Sequence, residues 1–98
     1  MLSINASYAT SGGVPVVYQY ASMSLGNSGD ELLAVAHGQE IDRVVWSGTF
    51  DLVGKSKELS RNHRTAAQNN TLTNWCPATE PFGSGDLGTP GIQNSCSL

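Results

Sequence analysis

The stretch that most constrains the fold is residues 29–46, GDELLAVAHGQEIDRVVW, in which two apolar runs flank a short polar joint. The first run covers residues 32–36, the joint residues 37–40 and the second run residues 41–46. Such runs around so short a polar segment are typical of two antiparallel strands joined by a tight turn. Neither face of the second run is wholly polar, so we expect this hairpin to provide the core.

The composition favours a β fold around that hairpin. Only 13% of the 98 residues are charged, compared with about 25% in an average soluble domain, and 11 are glycine. A chain of this length forms one domain and buries a core with little margin. We therefore predict a single all-β domain over residues 1–98, with a weakly patterned segment at 1–13 and a turn-rich strap at 74–98.

Further strands are predicted on both sides of the hairpin. Residues 14–20, VPVVYQY, are β-branched and aromatic, and Pro15 suits the start of a strand or an edge position. A shorter strand is expected at residues 2–4, and another at residues 56–59. The polar segment that follows allows one helical turn, at residues 65–68. The side chains expected to pack inward are Phe50, Leu52 and Leu59.

The strap is dense in glycine and proline, and from residue 78 onward we expect no regular structure in it. A segment without a hydrogen-bond ladder needs other anchors. Those expected from the sequence are the apolar side chains of Trp75, Phe82, Leu87 and Ile92, together with a bond between Cys76 and Cys96.

The two cysteines allow three chemical states. A disulfide between Cys76 and Cys96 is favoured over two free thiols, and over a metal site completed by His37 and His63, because no zinc-ligand spacing is present. The loop closed by the disulfide would stabilise the fold by about 3 kcal/mol. The pairing predicts an oxidising, extracytoplasmic compartment.

Charge and hydropathy argue against two classes of partner. The net charge is −3, and the small basic group of Lys55, Lys57, Arg61 and Arg64 falls short of the broad basic field that nucleic acid requires. No run approaches the roughly 20 apolar residues that span a bilayer. The first residues do not have the pattern of a signal peptide, so we expect no export signal in this chain.

The motifs of known catalytic and metal sites are absent from the sequence. His37 and His63 have no nucleophile elbow or reactive cysteine as a partner, so we expect both on the surface, no catalytic residue and no cofactor. Asp30 and Asp86 each lie beside a glycine, which favours turn-capping carboxylates. A weak calcium site that includes such loop acids stays open as an alternative.

Five segments, taken in order, are similar to the C-terminal part of a bacterial lamin-tail domain, over residues 13–96. They are NSGDEL at 27–32, EIDRVVW at 40–46, KSKEL at 55–59, NWCPAT at 74–79 and FGSGDLGTPG at 82–91. The resemblance implies an immunoglobulin-like β-sandwich, which agrees with many short strands and frequent turns. It also implies a non-catalytic accessory module of secreted or surface proteins, and it supplies no ligand residues.

The N-terminus departs from that family. Members open with an I-N-E-V strand and then a G-x-W-[IV]-E-[LI] strand, and residues 1–13 contain neither, apart from the short sequence Ser3-Ile4-Asn5. A sandwich that lacks these strands exposes strand edges and an apolar face. We therefore expect a homodimer in which two copies cover each other through an exposed strand edge.

The function predicted from the sequence is binding or scaffolding. The expected contact surface is the exposed edge together with the loop at residues 61–70, in which Arg61, His63 and Arg64 are the candidate interaction residues. The alternative is a small secreted inhibitor that presents a rigid loop to a hydrolase. Hydrolase activity of the chain itself is disfavoured and would have to depend on His63.

Overall fold

The computed structural model describes residues 2–3, 7–26, 28–48 and 53–98, and it confirms the all-β class. Phe50 and Leu52, which were expected to pack inward, lie outside the described residues. The strands are β1 (Leu2–Ser3), β2 (Tyr18–Gln19), β3 (Gly29–Ala36), β4 (Gln39–Ser47), β5 (Lys57–Leu59), β6 (Trp75–Pro77), β7 (Pro81–Phe82) and β8 (Asp86–Leu87). A short 3₁₀ helix at Leu72–Asn74 leads into β6.

Within the described residues, the strands pair as four two-stranded sheets. The pair β1·β2 is parallel, whereas β3·β4, β5·β6 and β7·β8 are antiparallel. A single bridge between Lys55 and Leu87 connects the chain just before β5 to β8. The predicted strand at residues 14–20 is shortened to β2, and Val17 and Tyr18 are largely exposed because nothing described packs over them.

The predicted hairpin is confirmed as β3 and β4. Its turn consists of His37 and Gly38, whose φ angles of 52° and 73° are both positive, as required in a turn that follows the twist of the two strands. The pairing shifts between Ala34 and Val35, so that Ile41 is an extra residue in β4. Such a bulge leaves β3 regular and bends β4.

The expectation that this hairpin provides the core is wrong. Leu32, Val35, Ile41 and Val45 remain 47–60% exposed, because the hairpin pairs with no further strand among the described residues. The second strand is partly covered, where the indole nitrogen of Trp46 donates to the carbonyl of Gly26 at 3.1 Å, whereas in the first strand only Asp30 is not exposed. The most regular element of the chain therefore lies mostly in solvent.

Most of the buried residues lie instead around β5, β6 and the last part of the strap, residues 89–98, hereafter the C-terminal tail. Half of the buried side chains are polar. The apolar ones are Val14, Ala78 and Cys96, and the polar ones are Glu58, Ser60 and Asn69. A buried polar group is tolerated when it is hydrogen-bonded. The core is accordingly held together by specific hydrogen bonds as well as by apolar packing.

The strap contains more regular structure than its composition predicted, and the expectation of none after residue 78 is wrong. The β7·β8 pair forms a hairpin there, because its glycines adopt the positive φ angles that a tight turn needs. A Cβ atom on Gly83 would also come within 2.5 Å of the carbonyl oxygen of Gly12. Leu59, Trp75, Phe82 and Leu87 are half-buried, as anchors should be, but Ile92 is exposed and anchors nothing.

Candidate interaction surface

The C-terminal tail is attached to β5 by one buried carboxylate. Glu58 is only 4% exposed, and its carboxylate accepts hydrogen bonds from the Thr89 hydroxyl, from the amide and hydroxyl of Ser95 at 2.9 and 2.8 Å, and from the Cys96 amide at 3.2 Å. Burial alone raises the pKa of this carboxyl, but the hydrogen bonds from Thr89, Ser95 and Cys96 outweigh burial and hold the pKa below its ordinary value. Glu58 is therefore ionised at neutral pH.

A disulfide provides a second link between the C-terminal tail and the β5·β6 pair. Cys76 and Cys96 lie at disulfide distance and are bonded to each other, with their Cα atoms 6.0 Å apart, as the sequence predicted. Cys76 is also the residue opposite Glu58 in the β5·β6 pairing. The carboxylate and the disulfide therefore fix the tail at one place.

Ser60 extends this attachment to the end of the chain. It is fully buried, and its hydroxyl oxygen accepts the amide of Leu98 at 3.0 Å and that of Asn62 at 3.3 Å. The same oxygen lies 3.3 Å from Nδ1 of His63. The tail thus forms a fixed wall beside the 61–70 loop.

The three predicted interaction residues do not act as one patch. Arg61 and Arg64 are exposed and line an open groove of about 360 Å³ whose other wall is residues 92–94 of the tail. His63 is half-buried and turned toward Ser60, so it is less available than the prediction assumed. The expectation of a surface histidine holds for His37 alone.

The remainder of the loop is held rigidly against β4. Residues 65–68 form the expected single turn, in which the amides of Gln68 and Asn69 both donate to the carbonyl of Thr65 at 3.0 Å. The side-chain amide of Asn69 donates to the Asp42 carboxylate at 2.6 Å. The carbonyl of Asn69 accepts the indole N–H of Trp75 at 2.8 Å. These bonds connect the loop to β4 and to β6.

The attachment of this loop leaves an open groove of about 530 Å³ between it and β4, hereafter the β4 groove. Its lining residues are Glu40, Ile41, Asp42, Arg43, Val45, Ala66 and Asn70. The apolar side chains of Ile41 and Val45 are 60% and 53% exposed. The surface therefore combines solvated aliphatic groups with charged and amide groups.

Arg43 carries the charge at the centre of this groove and is paired on both sides. Its guanidinium donates to Glu40 at 3.1 and 3.0 Å and forms an ion pair with Glu31 across the hairpin. The hydrogen bond to Glu40, and then that to Glu31, raises the pKa of Arg43, and the same hydrogen bond lowers the pKa of Glu40. The pairs orient the guanidinium. Because two carboxylates, Glu40 and Asp42, line the groove with this single cation, the groove is weakly acidic.

Sequence reasoning missed the residues that build this surface. Asp42 and Asn69 are 27 residues apart, and no spacing pattern indicates that their side chains meet. The alternating polar and apolar residues at 56–59 correctly indicated a strand with one covered face. We assigned Leu59 to that face, whereas Glu58 is the more buried of the two. Asp30 behaves as predicted, because its carboxylate caps the amides of Gly26 and Glu31 at 2.8 Å.

Replacing Asn69 with aspartate should weaken the link between the loop and β4. Asn69 is 8% exposed, and Asn69→Asp would place a second carboxylate against Asp42, so we expect the free energy of unfolding to fall by about 2 kcal/mol at neutral pH. The introduced carboxyl would have a raised pKa in the folded state, so the loss should become smaller as the pH falls through that folded pKa and should vanish below the pKa of the unfolded carboxyl. Urea denaturation at two pH values measures both effects.

The neighbouring Asn70 provides a matched control, because it is exposed. Asn70→Asp introduces the same charge one residue away and should change the free energy of unfolding by less than about 0.5 kcal/mol. Equal losses in the two variants would show that the Asn69–Asp42 contact does not hold the loop.

In the described part of the chain, no group of three or more His, Cys, Asp or Glu side chains could hold a metal ion. No helix within it has the length and apolar character to cross a membrane.

The fold and surfaces define a small all-β domain whose tail is held by a disulfide and a buried carboxylate, and which carries an open groove beside its longest hairpin. Comparison with known proteins adds no relative: no family model matches the chain, and neither does any curated protein or solved structure. The resemblance to the lamin-tail family stays a prediction from the sequence.

Proposed function

We propose that this chain is a non-catalytic interaction module of the lamin-tail type, which binds an extended segment of a partner protein in the β4 groove. One observation carries the proposal: the two walls of the groove are fixed to each other by the Asn69–Asp42 hydrogen bond, while the aliphatic side chains in it stay exposed. A surface that is rigid before binding loses little conformational entropy when a ligand docks.

The chemistry of the groove suits a peptide. Ile41 and Val45 provide apolar contact surface on either side of Arg43. The side-chain amide of Asn70 can form hydrogen bonds with a peptide backbone. Because Arg43 is already paired with two glutamates, its own positive charge contributes little to recognition. We expect ligands that place one apolar side chain between polar backbone groups.

The sandwich and the compartment belong to the same proposal. An immunoglobulin-like sandwich needs more strands in each sheet than the two-stranded pairs among the described residues. We therefore propose that a second copy of the chain supplies additional strands. The disulfide supports an extracytoplasmic location, since such bonds persist in oxidising compartments.

Selection of displayed random peptides on the immobilised protein tests the proposed groove. We expect enriched peptides that bind the wild-type protein and lose at least about tenfold in affinity, or about 1.4 kcal/mol, in the variant Ala66→Arg. Ala66 is exposed and lines the groove, so the longer side chain fills the binding surface without disturbing the core. Fluorescence polarisation with the labelled peptide measures the affinity.

Val53→Arg is the matched control, because Val53 is 99% exposed and lies outside the groove. It adds the same charge and should leave the affinity unchanged. The proposal fails if no peptide is enriched, or if Ala66→Arg and Val53→Arg bind alike. Turnover of esterase, phosphatase or nuclease substrates that disappears in His63→Ala would contradict a non-catalytic role.

The second candidate, a hydrolase inhibitor, is favoured by the neighbouring groove at Arg61 and Arg64. The tail wall of this groove is fixed by the disulfide, by Glu58 and by Ser60, which is the preorganisation that inhibitor loops use. Titration against a panel of purified hydrolases separates the two functions. Tight inhibition of one enzyme, lost in Arg64→Ala and retained in Ala66→Arg, would favour the inhibitor.

A further inference from the structure

The outer edge of β3 is an unprotected strand edge. Among the described residues β3 pairs only with β4, so alternate amide and carbonyl groups on its other side face outward. Every residue of β3 except Asp30 is exposed. From Leu32 to Ala36 it contains no charge and no proline, and the pairing shift leaves it regular.

The outer edge of β4 is protected by the devices that strand edges commonly use. It contains the bulge at Ile41 and the charges of Glu40, Asp42 and Arg43. The Asp42 carboxylate accepts the amide of Arg43 at 2.9 Å, and the 61–70 loop lies beside it. In β3 a comparable device is found only at the start of the strand, where the Asp30 carboxylate accepts the Glu31 amide.

The solvent-accessible surface of the chain is larger than expected for a monomer of its mass, which leaves area for an interface. The chain exposes 6674 Å², whereas a folded monomer of its mass exposes about 5,400 Å². The excess of about 1,300 Å² exceeds the roughly 800 Å² that each partner contributes to a stable interface of standard size. The apolar side chains Leu32, Leu33 and Val35, which are 41–56% exposed, form part of that excess.

We infer that β3 pairs antiparallel with β3 of a second copy of this chain, giving a continuous four-stranded sheet in the order β4, β3, β3 and β4. This inference goes beyond the proposed peptide binding, because it concerns the other edge of the hairpin and leaves both β4 grooves open. A two-fold axis makes the interface closed and self-complementary. The dimer would present two grooves at its outer edges.

The charges of β3 favour a register centred on Ala34 over one centred on Leu33. With the two-fold axis at Ala34, Leu33 faces Val35 of the second copy, and the acidic start of β3 faces the turn of the other hairpin. In that register Glu31 lies opposite His37 of the second copy, and no two acids face each other. A shift of two residues toward the start of β3 would place Glu31 opposite Val35, which costs free energy because a carboxylate loses water against an apolar side chain.

Charge substitution at Ala34 tests the pairing directly. Light scattering of the wild-type chain from about 1 to about 100 μM should show a species of twice 10.3 kDa. Ala34→Lys and Ala34→Glu, each alone, should give monomers, because like charges then face each other across the axis. Mixing the two variants should restore the dimer as a heterodimer.

Ile41→Lys is the control, because Ile41 is exposed on the other strand of the same hairpin. It should leave the dimer intact. Ala34 lies opposite Asp42 within its own hairpin, so lysine there introduces no internal repulsion, and the circular dichroism of Ala34→Lys should match the wild type. Glutamate there does face Asp42, so Ala34→Lys is the decisive single variant and Ala34→Glu serves as its partner in the mixture. A wild-type monomer at the highest concentration would overturn the inference, as would dissociation by Ile41→Lys or failure of the mixed variants to associate.

Discussion

Replacing Glu58 with alanine should lower the free energy of unfolding by about 3 kcal/mol, because buried donors on Thr89, Ser95 and Cys96 would lose their shared acceptor. Glu58→Gln keeps the shape and should cost only about 1 kcal/mol, since its amide oxygen still accepts hydrogen bonds while the charge is lost. Urea denaturation followed by tryptophan fluorescence measures both changes.

The same carboxylate should give stability a defined pH dependence. The pKa of Glu58 in the folded state lies below the ordinary value of 4.5, so its stabilising contribution is complete above that pH and is lost as the pH falls through the lower folded pKa. Glu58→Gln removes this ionisation. The difference in stability between wild type and Glu58→Gln should therefore shrink below pH 4.5.

Glu80 is exposed and provides the matched control. Glu80→Ala should change the free energy of unfolding by less than about 0.5 kcal/mol. If Glu58→Ala were no worse than Glu80→Ala, the tail would not be held by the buried carboxylate. A pH-independent difference between wild type and Glu58→Gln would contradict the assigned ionisation.

Removal of the disulfide should have an effect of similar size. The double variant with Cys76→Ser and Cys96→Ser should lose about 3 kcal/mol, because the unfolded chain is no longer restricted by the closed loop. The sequence separation of 20 residues sets that estimate. Denaturation of the wild type in reductant should approach the same value, while reductant should leave the double variant unchanged.

The disulfide and Glu58 should also be energetically coupled, because the amide of Cys96 itself donates to the carboxylate. Glu58→Ala should cost about 1 kcal/mol less in the double serine variant than in the wild type, since the tail is already loosened there. If the losses in free energy of unfolding were additive, the disulfide and the Glu58 hydrogen bonds would be independent. A wild type whose stability does not change in reductant would lead to the same conclusion.

Local signals in the sequence were sufficient for the elements with short-range causes. Two apolar runs around a short polar joint predicted the hairpin, and β3, its turn and β4 follow that prediction closely. Turn chemistry also predicted the role of Asp30. These features depend on residues that are neighbours along the chain.

The location of the core was not predictable in the same way. Hydrophobicity assigned it to the hairpin, but an apolar strand is buried only if another layer covers it, and no described strand does so. The buried positions Glu58, Ser60 and Asn69 are polar residues whose partners lie 27 to 38 residues away. Apart from the alternation at residues 56–59, nothing in their local sequence distinguishes them from solvated residues.

The sequence by itself determined an all-β chain with one long hairpin, a turn-rich C-terminal segment and a pair of cysteines able to bond, because strand periodicity, turn propensity and cysteine count are local or compositional properties. Only the tertiary structure decided that the tail docks on a buried carboxylate, that the 61–70 loop is fixed to β4, and that no strand among the described residues pairs with the outer edge of β3. These outcomes depend on which distant groups satisfy one another's hydrogen bonds, and chain folding alone brings such groups together.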